Sequence, residues 1–327
     1  MILLRPSLFA ALSLFIIVGV LPPTAAGLSF LTIADWGGIE SPPYFRSAQK
    51  ACAYGMGRVA SGIGSKFVVA LGDNFYHHGI DGTEYVARFQ QTFEDVYTAN
   101  SLQTPWYVIA GNHDYAGNVS AQVAYTRLSK RWRYPDLYHG FVQPIPGTSM
   151  TFELILIDTI VLDTDGYAMT EQWEWLERRL ETSQADYLWV GGHYPVWSVC
   201  EHGPTMTLVA RLRPLLERYN VTGYMSGHDH CQQYLDEGRG PHYIVTGTGT
   251  ECCYSASNRH AVPKGALKWH HSAQHSHGAI GGFVSFTITN QSMTATFYDQ
   301  DGDRLYVTPG MVPRARAKAH KRDPDFR

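Results

Sequence analysis

The sequence predicts an α/β protein in which parallel strands are flanked by helices and an antiparallel β-meander follows at the carboxyl end. Three observations predict it. Apolar, strand-like runs alternate with stretches of helical pattern. Five of those runs end in residues of metal-ligand type, which gathers polar groups at the carboxyl ends of parallel strands, where open α/β sheets place their crevices. After Gly281 the pattern changes to short β-rich segments joined by turn signals.

The elements follow in order. Residues 28–34, 67–71, 107–110, 187–190 and 221–225 read as buried strands. They lead into Asp35-Trp36-Gly37, Gly72-Asp73-Asn74-Phe75-Tyr76, Gly111-Asn112-His113-Asp114, Gly191-Gly192-His193 and Gly227-His228-Asp229-His230. Residues 47–63, 83–97, 120–131, 170–182 and 207–219 read as helices between them, the fourth with Thr170 as N-cap and Glu171 in its first turn. A further strand, 151–157, ends in Asp158. Residues 283–289, 293–298 and 305–308, joined by Asn290-Gln291-Ser292 and Asp301-Gly302-Asp303, read as a meander completing a second sheet.

The whole chain has 327 residues, 44% of them apolar and 17% charged, with a formal charge of −3. That balance excludes a typical nucleic-acid binder. Arg5, an apolar stretch over 8–21 and the small residues Ala25, Ala26 and Gly27 match a secretory signal peptide over residues 1–26. The stretch is shorter than the ~20 residues of a membrane span, so no stable membrane insertion is expected after cleavage. Residues 27–312 then form one domain, and the basic, aperiodic tail 313–327 is expected to be disordered. Secretion makes Asn118, Asn220 and Asn290 candidate glycosylation sites. It also puts Cys52, Cys200, Cys231, Cys252 and Cys253 in an oxidising compartment, where an odd number leaves at least one free or paired between chains.

Taken singly, Asp35 reads as a cap, Tyr76 as a packed aromatic and His193 as a hydrogen-bonded structural histidine. As a set, Asp35, Asp73, Tyr76, Asn112, His193, His228 and His230 are too many ligands for one ion and suit two ions that share a carboxylate. Asp158 reads as structural, and His270, His271, His275 and His277 as a solvated loop.

In this order the segments resemble the signature set of the calcineurin-like metallophosphoesterases. Tyr76 narrows the resemblance to the small purple acid phosphatases, the tartrate-resistant type 5 family, over roughly residues 28–314. The resemblance implies a four-layer αββα sandwich of two mixed β-sheets flanked by helices. It implies Fe(III) held by Asp35, Asp73, Tyr76 and His230, and a divalent ion, Fe(II), Zn or Mn, held by Asp73, Asn112, His193 and His228. Hard ferric iron suits carboxylate and phenolate oxygen, and the divalent ion takes imidazole and amide ligands. Five positive charges against Asp35, Asp73 and a Tyr76 phenolate leave 5 − 3 = +2, which draws a phosphate into an otherwise acidic protein. The implied activity is that of an acid phosphatase hydrolysing phosphate monoesters by attack of a metal-bound hydroxide. His113 would protonate the leaving oxygen, Asp114 would orient or charge His113, and Glu201 and His202 would line the pocket. A secreted or lysosomal glycoprotein acting as a monomer is expected. The rival readings are a phosphodiesterase or nucleotide hydrolase of the same superfamily, and an iron-carrying glycoprotein.

Two departures from the family stand out. Mammalian members carry a longer protease-sensitive loop after the segment matching Ile157-Asp158-Thr159; here about ten residues separate Thr159 from Thr170, so activation by that cleavage is not expected. The family's disulfide partner for Cys200 lies in that loop, which leaves Cys231, the Cys252-Cys253 pair or no partner at all as the alternatives.

Overall fold

The computed structural model describes residues 27–82, 85–271 and 280–314. The signal segment 1–26, His275, His277 and the tail from residue 315 lie outside the described residues.

The amino-terminal half runs β1 (Leu28–Ile33), α1 (Ser47–Ile63), β2 (Val68–Leu71), α2 (Tyr85–Phe89), β3 (Trp106–Ile109), α3 (Asn112–Tyr115), α4 (Val119–Tyr125), β4 (Trp132–Arg133), β5 (His139–Pro144) and β6 (Thr151–Leu156). It continues through α5 (Thr159–Leu162), α6 (Tyr167–Thr182), β7 (Tyr187–Gly191), α7 (Arg213–Arg218), β8 (Gly223–Ser226), β9 (Gln232–Asp236), β10 (His242–Thr246) and β11 (Leu267–His271). The last strands are β12 (Gly282–Ile288), β13 (Met293–Asp299) and β14 (Arg304–Val307). They form two seven-stranded sheets, ordered β14-β13-β12-β1-β2-β3-β4 and β11-β9-β10-β8-β7-β6-β5. Strands β1 to β4 are parallel, as are β6, β7, β8 and β10, with antiparallel strands at the flanks.

Strands covered on both faces read as unbroken apolar runs. On β1, Phe30 faces the other sheet while Leu31 and Ile33 face the helices. On β7, Trp189 faces the other sheet while Leu188 and Val190 face α6. The layer between the sheets is aromatic: Phe30 stacks on Phe67 at 4.7 Å and Phe286 at 4.8 Å, and Trp189 meets Phe286 edge-on at 5.1 Å. Outside the first sheet lie α1 and a cluster around Trp36, Phe93, Trp106 and Trp132; outside the second lie α6 and α7 with Leu176, Leu180, Leu212 and Leu216. This is the four-layer αββα sandwich of two mixed sheets. Among the described residues no helix is long and apolar enough to cross a membrane.

Several elements differ from the sequence reading. The meander β12-β13-β14 extends the first sheet, where β12 pairs with β1 (Leu28 opposite Ile288), instead of completing the second. The second sheet is completed by β5, β9, β10 and β11. Helix α6 begins at Tyr167 with Gly166 in the cap position, so Thr170 is internal and its hydroxyl bonds back to the Gly166 carbonyl at 3.3 Å. Helix α4 stops at Tyr125, where the Thr126 hydroxyl donates to the Tyr134 carbonyl at 2.9 Å. His270 and His271 lie on β11, not in a loop. The ordered chain also enters the assigned tail: Arg314 donates to the carbonyls of Ala185, Tyr219 and Ser183 at 2.7, 3.1 and 2.8 Å.

Candidate metal centre

The five ligand-bearing turns follow β1, β2 and β3 of the first sheet and β7 and β8 of the second, so they meet where the two sheets adjoin. Asp35, Asp73 and His228 adopt left-handed backbone, with φ of 56°, 50° and 70°. Non-glycine residues rarely do so, and such strain persists only where the surroundings over-determine it. Gly72 (φ 93°) belongs to the same turn, and a Cβ there would lie 2.7 Å from both Gly111 N and His193 Nδ1. The close approach of β2, β3 and β7 therefore requires glycine.

His193 is fully buried and its Nδ1 donates to the Leu71 carbonyl at 2.9 Å. That bond fixes the ring, with Nε2 lying 3.0 Å from Asn112 Oδ1 and 3.5 Å from Asp73 Oδ2. Ligand-type atoms of Asp35, Asp73 and His193 lie within 4.8 Å of one another. On the other side of Asp35, the Tyr76 hydroxyl lies 3.3 Å from Asp35 Oδ1 and 3.0 Å from His230 Nε2. His230 Nε2 is 3.5 Å from Asp35 Oδ1. The backbone N–H of His228 donates to Asp35 Oδ2 at 2.8 Å, and its ring lies 5.2 Å from that of His193. All seven candidate ligands thus converge, as one group around Asp35, Tyr76 and His230 and another around Asp73, Asn112, His193 and His228.

Their electrostatics call for cations. Asp35 and Asp73 are buried, and among the described residues their ion pairs are with histidines alone. Burial opposes ionisation of Asp73, but His193 and the N–H of His113 hold its carboxyl below the usual range. His193 in turn, despite its burial, is raised to about 9 by Asp73. Burial, with His193 and His202 nearby, pushes His228 down to about 2, which keeps its ring neutral in acid. Burial and the two carboxylates hold the Tyr76 phenol far above its ordinary value, so only a strong cation would strip its proton. Carboxylates, phenol, amide and imidazoles in this arrangement fit a pair of metal ions.

Residues 28–232 match the calcineurin-like phosphoesterase family. Tartrate-resistant acid phosphatase type 5 of Oryctolagus cuniculus is 40% identical over 307 residues, which cover 89% of this chain and 92% of the rabbit protein. The chain belongs to the tartrate-resistant acid phosphatase family. Purple acid phosphatase 4 of Arabidopsis thaliana is 31% identical over 306 residues, covering 87% of this chain and 84% of its own. The solved structure of GAP50, described as the anchor in the inner membrane complex of Plasmodium, superposes with a TM-score of 0.76 over 90% of this chain and 91% of that one. At 21% identity it speaks for the fold alone. As a family member, the chain is an acid phosphatase with a binuclear metal centre.

Around that centre the remaining candidates separate. His113 Nδ1 donates to the His77 carbonyl at 2.7 Å and its ring lies 4.7 Å from that of Tyr76, at the rim of the site. Asp114 does not orient it. The Asp114 carboxylate is buried and accepts from Gly111 N (2.8 Å), Asn74 N (3.1 Å), Phe75 N (3.2 Å) and Gln122 Nε2 (2.9 Å), tying the β2 and β3 turns together. Burial and Asp73 raise it to about 7. The ring of His202 stacks on His228 at 4.3 Å, and Glu201 is exposed beside it. Asp158 caps α5, accepting from Ile160 N and Val161 N at 3.0 Å each and from the Tyr115 hydroxyl. Only residues 163–166 separate α5 from α6. Asn118, Asn220 and Asn290 are all exposed, and Asn118 Oδ1 caps α4 by accepting from Ala121 N at 3.1 Å.

Two features went unread in the sequence, Asp229 and Tyr254, and the sequence leaves a third, the partner of Cys200, open among Cys231, the Cys252-Cys253 pair and none. Asp229, between His228 and His230, turns away from the site and accepts from His202 N at 2.8 Å, Gly203 N at 3.2 Å and the Ser198 hydroxyl. The ring of Tyr254 stacks on His230 at 4.7 Å. Cys200 is bonded to Cys231, linking the residue before Glu201 to the residue after His230; Cys252 and Cys253 form the second pair, and Cys52 is buried and free. An acid between two candidate ligands was the one available signal for Asp229.

Proposed function

We propose that Asp35, Asp73, Tyr76 and His230 hold Fe(III), that Asp73, Asn112, His193 and His228 hold a divalent ion, Fe(II), Zn or Mn, and that the enzyme hydrolyses phosphate monoesters in acid as a secreted or lysosomal glycoprotein. One observation carries the reading: two buried carboxylates and a buried phenol converge with three imidazoles, and among the described residues the carboxylates have no lysine or arginine to balance them. When bound, the ions supply Lewis acidity and a nucleophile that persists in acid.

The chain's own residues supply the rest. Leu71 O fixes the His193 tautomer so that Nε2 stays available to an ion. Asp35 and the two stacked rings of His202 and Tyr254 hold the β8 turn. His113, anchored through Nδ1, is the proton donor for the leaving oxygen, and Asp114 acts only by holding the turn that carries it. His202 and Glu201 border the pocket opposite a docked phosphate.

Hydrolysis of p-nitrophenyl phosphate against its bis-ester, by metal-replete protein in acid, tests this. Monoester turnover should dominate, and His113→Ala should lower it about a hundredfold or more. Preference for the bis-ester would favour a phosphodiesterase, and no monoester turnover would overturn the reading. Metal analysis with a visible spectrum tests the iron assignment: Tyr76→Phe should abolish a phenolate charge-transfer band, and a colourless, iron-free, active enzyme would refute it.

A further inference from the structure

The crevice has a charged lip that the chemistry above does not use. Arg46 precedes α1, its side chain 30% exposed, and its guanidinium reaches two neighbours of the site. Nη2 lies 3.1 Å from His77 Nε2, and Nη1 lies 3.6 Å from the Glu251 carboxylate. The carbonyl of His77 anchors His113, and its ring lies 5.3 Å from Tyr76 and 5.8 Å from His113. The carboxylate of Glu251 lies 3.8 Å from His230 Nδ1. Arg46 is therefore one side chain away from both the proton donor and a candidate iron ligand.

Arg46 is not clamped as a structural arginine is. Among the described residues its buried Nε has no hydrogen-bond partner, and Glu251 is a long ion pair on a side chain that is 53% exposed. Arg131, by contrast, is fastened to Glu94 at 2.6 Å and to the Tyr97 carbonyl at 2.7 Å. The 17-residue helix α1 begins at the next residue with no side-chain cap and no acid in its first turn, which adds partial positive charge at the same place. Glu40 accepts from His77 N and His78 N at 3.0 Å each, fixing the peptide that presents His77. A guanidinium with donors to spare beside a phosphate site is suited to a second anion.

We propose that Arg46 and His77 form an anion subsite at the lip of the crevice, selecting organic phosphates whose leaving group carries a second phosphate. Glu251 occupies the guanidinium in the free protein and gives way to the incoming anion. The bond chemistry is unchanged: the P–O bond to the leaving group breaks, water supplies the new P–O bond, and the leaving oxygen takes a proton. The proposal rests on the phosphatase reading above.

A matched, non-hydrolysable pair tests it: propane-1,3-diphosphonate and propylphosphonate, bound to metal-replete protein by calorimetry and as inhibitors of p-nitrophenyl phosphate hydrolysis. The diphosphonate should bind about tenfold more tightly. Arg46→Gln should bring the two affinities to within about twofold, Arg46→Lys should keep part of the preference, and Glu251→Gln should increase it. Equal affinities in the wild type, or a ratio that Arg46→Gln leaves unchanged, would overturn the subsite. Failure of the phosphatase reading shows separately, as absent p-nitrophenyl phosphate turnover, while the calorimetric ratio still reports on Arg46.

Discussion

His113 and Asp114 are neighbours in sequence and do different work, because they sit on one helical turn. Consecutive side chains on α3 point about 100° apart, so His113 faces the rim while Asp114 enters the protein. Asp114→Ala should therefore act on stability: it strips the acceptor from Gly111 N, Asn74 N, Phe75 N and Gln122, at a cost of about 3 kcal/mol or more. The melting temperatures of the two alanine variants check this, since His113→Ala should lose turnover with little loss of Tm. The candidate ligands were legible because ligand chemistry demands a few residue types; the direction of a flanking side chain is set by local backbone geometry and was not. Asp158 adds a pH effect. Burial raises its carboxyl to about 6, above an ordinary value of 3.8, so the folded state binds the proton more readily than the unfolded one. The charged form is disfavoured in the fold, and stability rises as pH falls from 6 towards 3.8. Asp158→Asn keeps the cap and should lack that rise, so the wild type should gain on it by up to about 3 kcal/mol between neutral and acid pH. Thermal denaturation of both proteins at the two pH values measures the gain, and parallel curves would contradict it.

At the scale of elements, the strands that carry the site were readable because both of their faces are covered, which leaves a continuous apolar run ahead of each ligand. Strands β5, β9, β10 and β11, which complete the second sheet, were not. Strand β9 opens with Gln232 and Gln233, both buried, whose side-chain Nε2 groups donate to the Tyr298 carbonyl at 3.0 Å and the Ser198 hydroxyl at 2.7 Å. Burial with partners makes a core strand look polar in sequence. The hairpins of β12 to β14 were visible as local turns, whereas the pairing of β12 with β1 joins residues far apart in the chain and leaves no local mark. The Cys200–Cys231 link belongs to this scale too. It spans 31 residues and fastens the segment bearing His202 to the β8 turn, where Asp229 already holds His202 N. The double variant Cys200→Ser, Cys231→Ser should lose about 2–4 kcal/mol. With the stacking of His202 on His228 loosened, KM for a phosphate monoester should rise several-fold. Stability loss with unchanged KM would mean that Asp229 alone holds the pocket wall.

For the whole molecule, the decisive fact is that the candidate ligands come from both sheets: Asp35, Asp73, Tyr76 and Asn112 follow strands of the first, His193, His228 and His230 strands of the second. The aromatic layer between Phe30, Phe67, Trp189 and Phe286 holds the sheets together across their width, but at the crevice the two halves face each other through buried carboxylates and imidazoles. Ions seated there would cross-link the sheets and neutralise carboxylates whose ion pairs, among the described residues, are with histidines. An ion that binds the folded chain and not the unfolded one stabilises it by about 2.7 kcal/mol at a hundred times its Kd and about 4.1 kcal/mol at a thousand times. Exhaustive chelation should therefore lower Tm as well as abolish turnover, and the chelated protein should take up protons, because His193 beside Asp73 is raised to about 9. Restoring iron and a divalent ion should recover both readouts together. Calorimetry of chelated, reloaded and untreated protein checks this: loss of turnover with an unmoved Tm would mean that the apolar layer alone joins the sheets and the ions serve chemistry only.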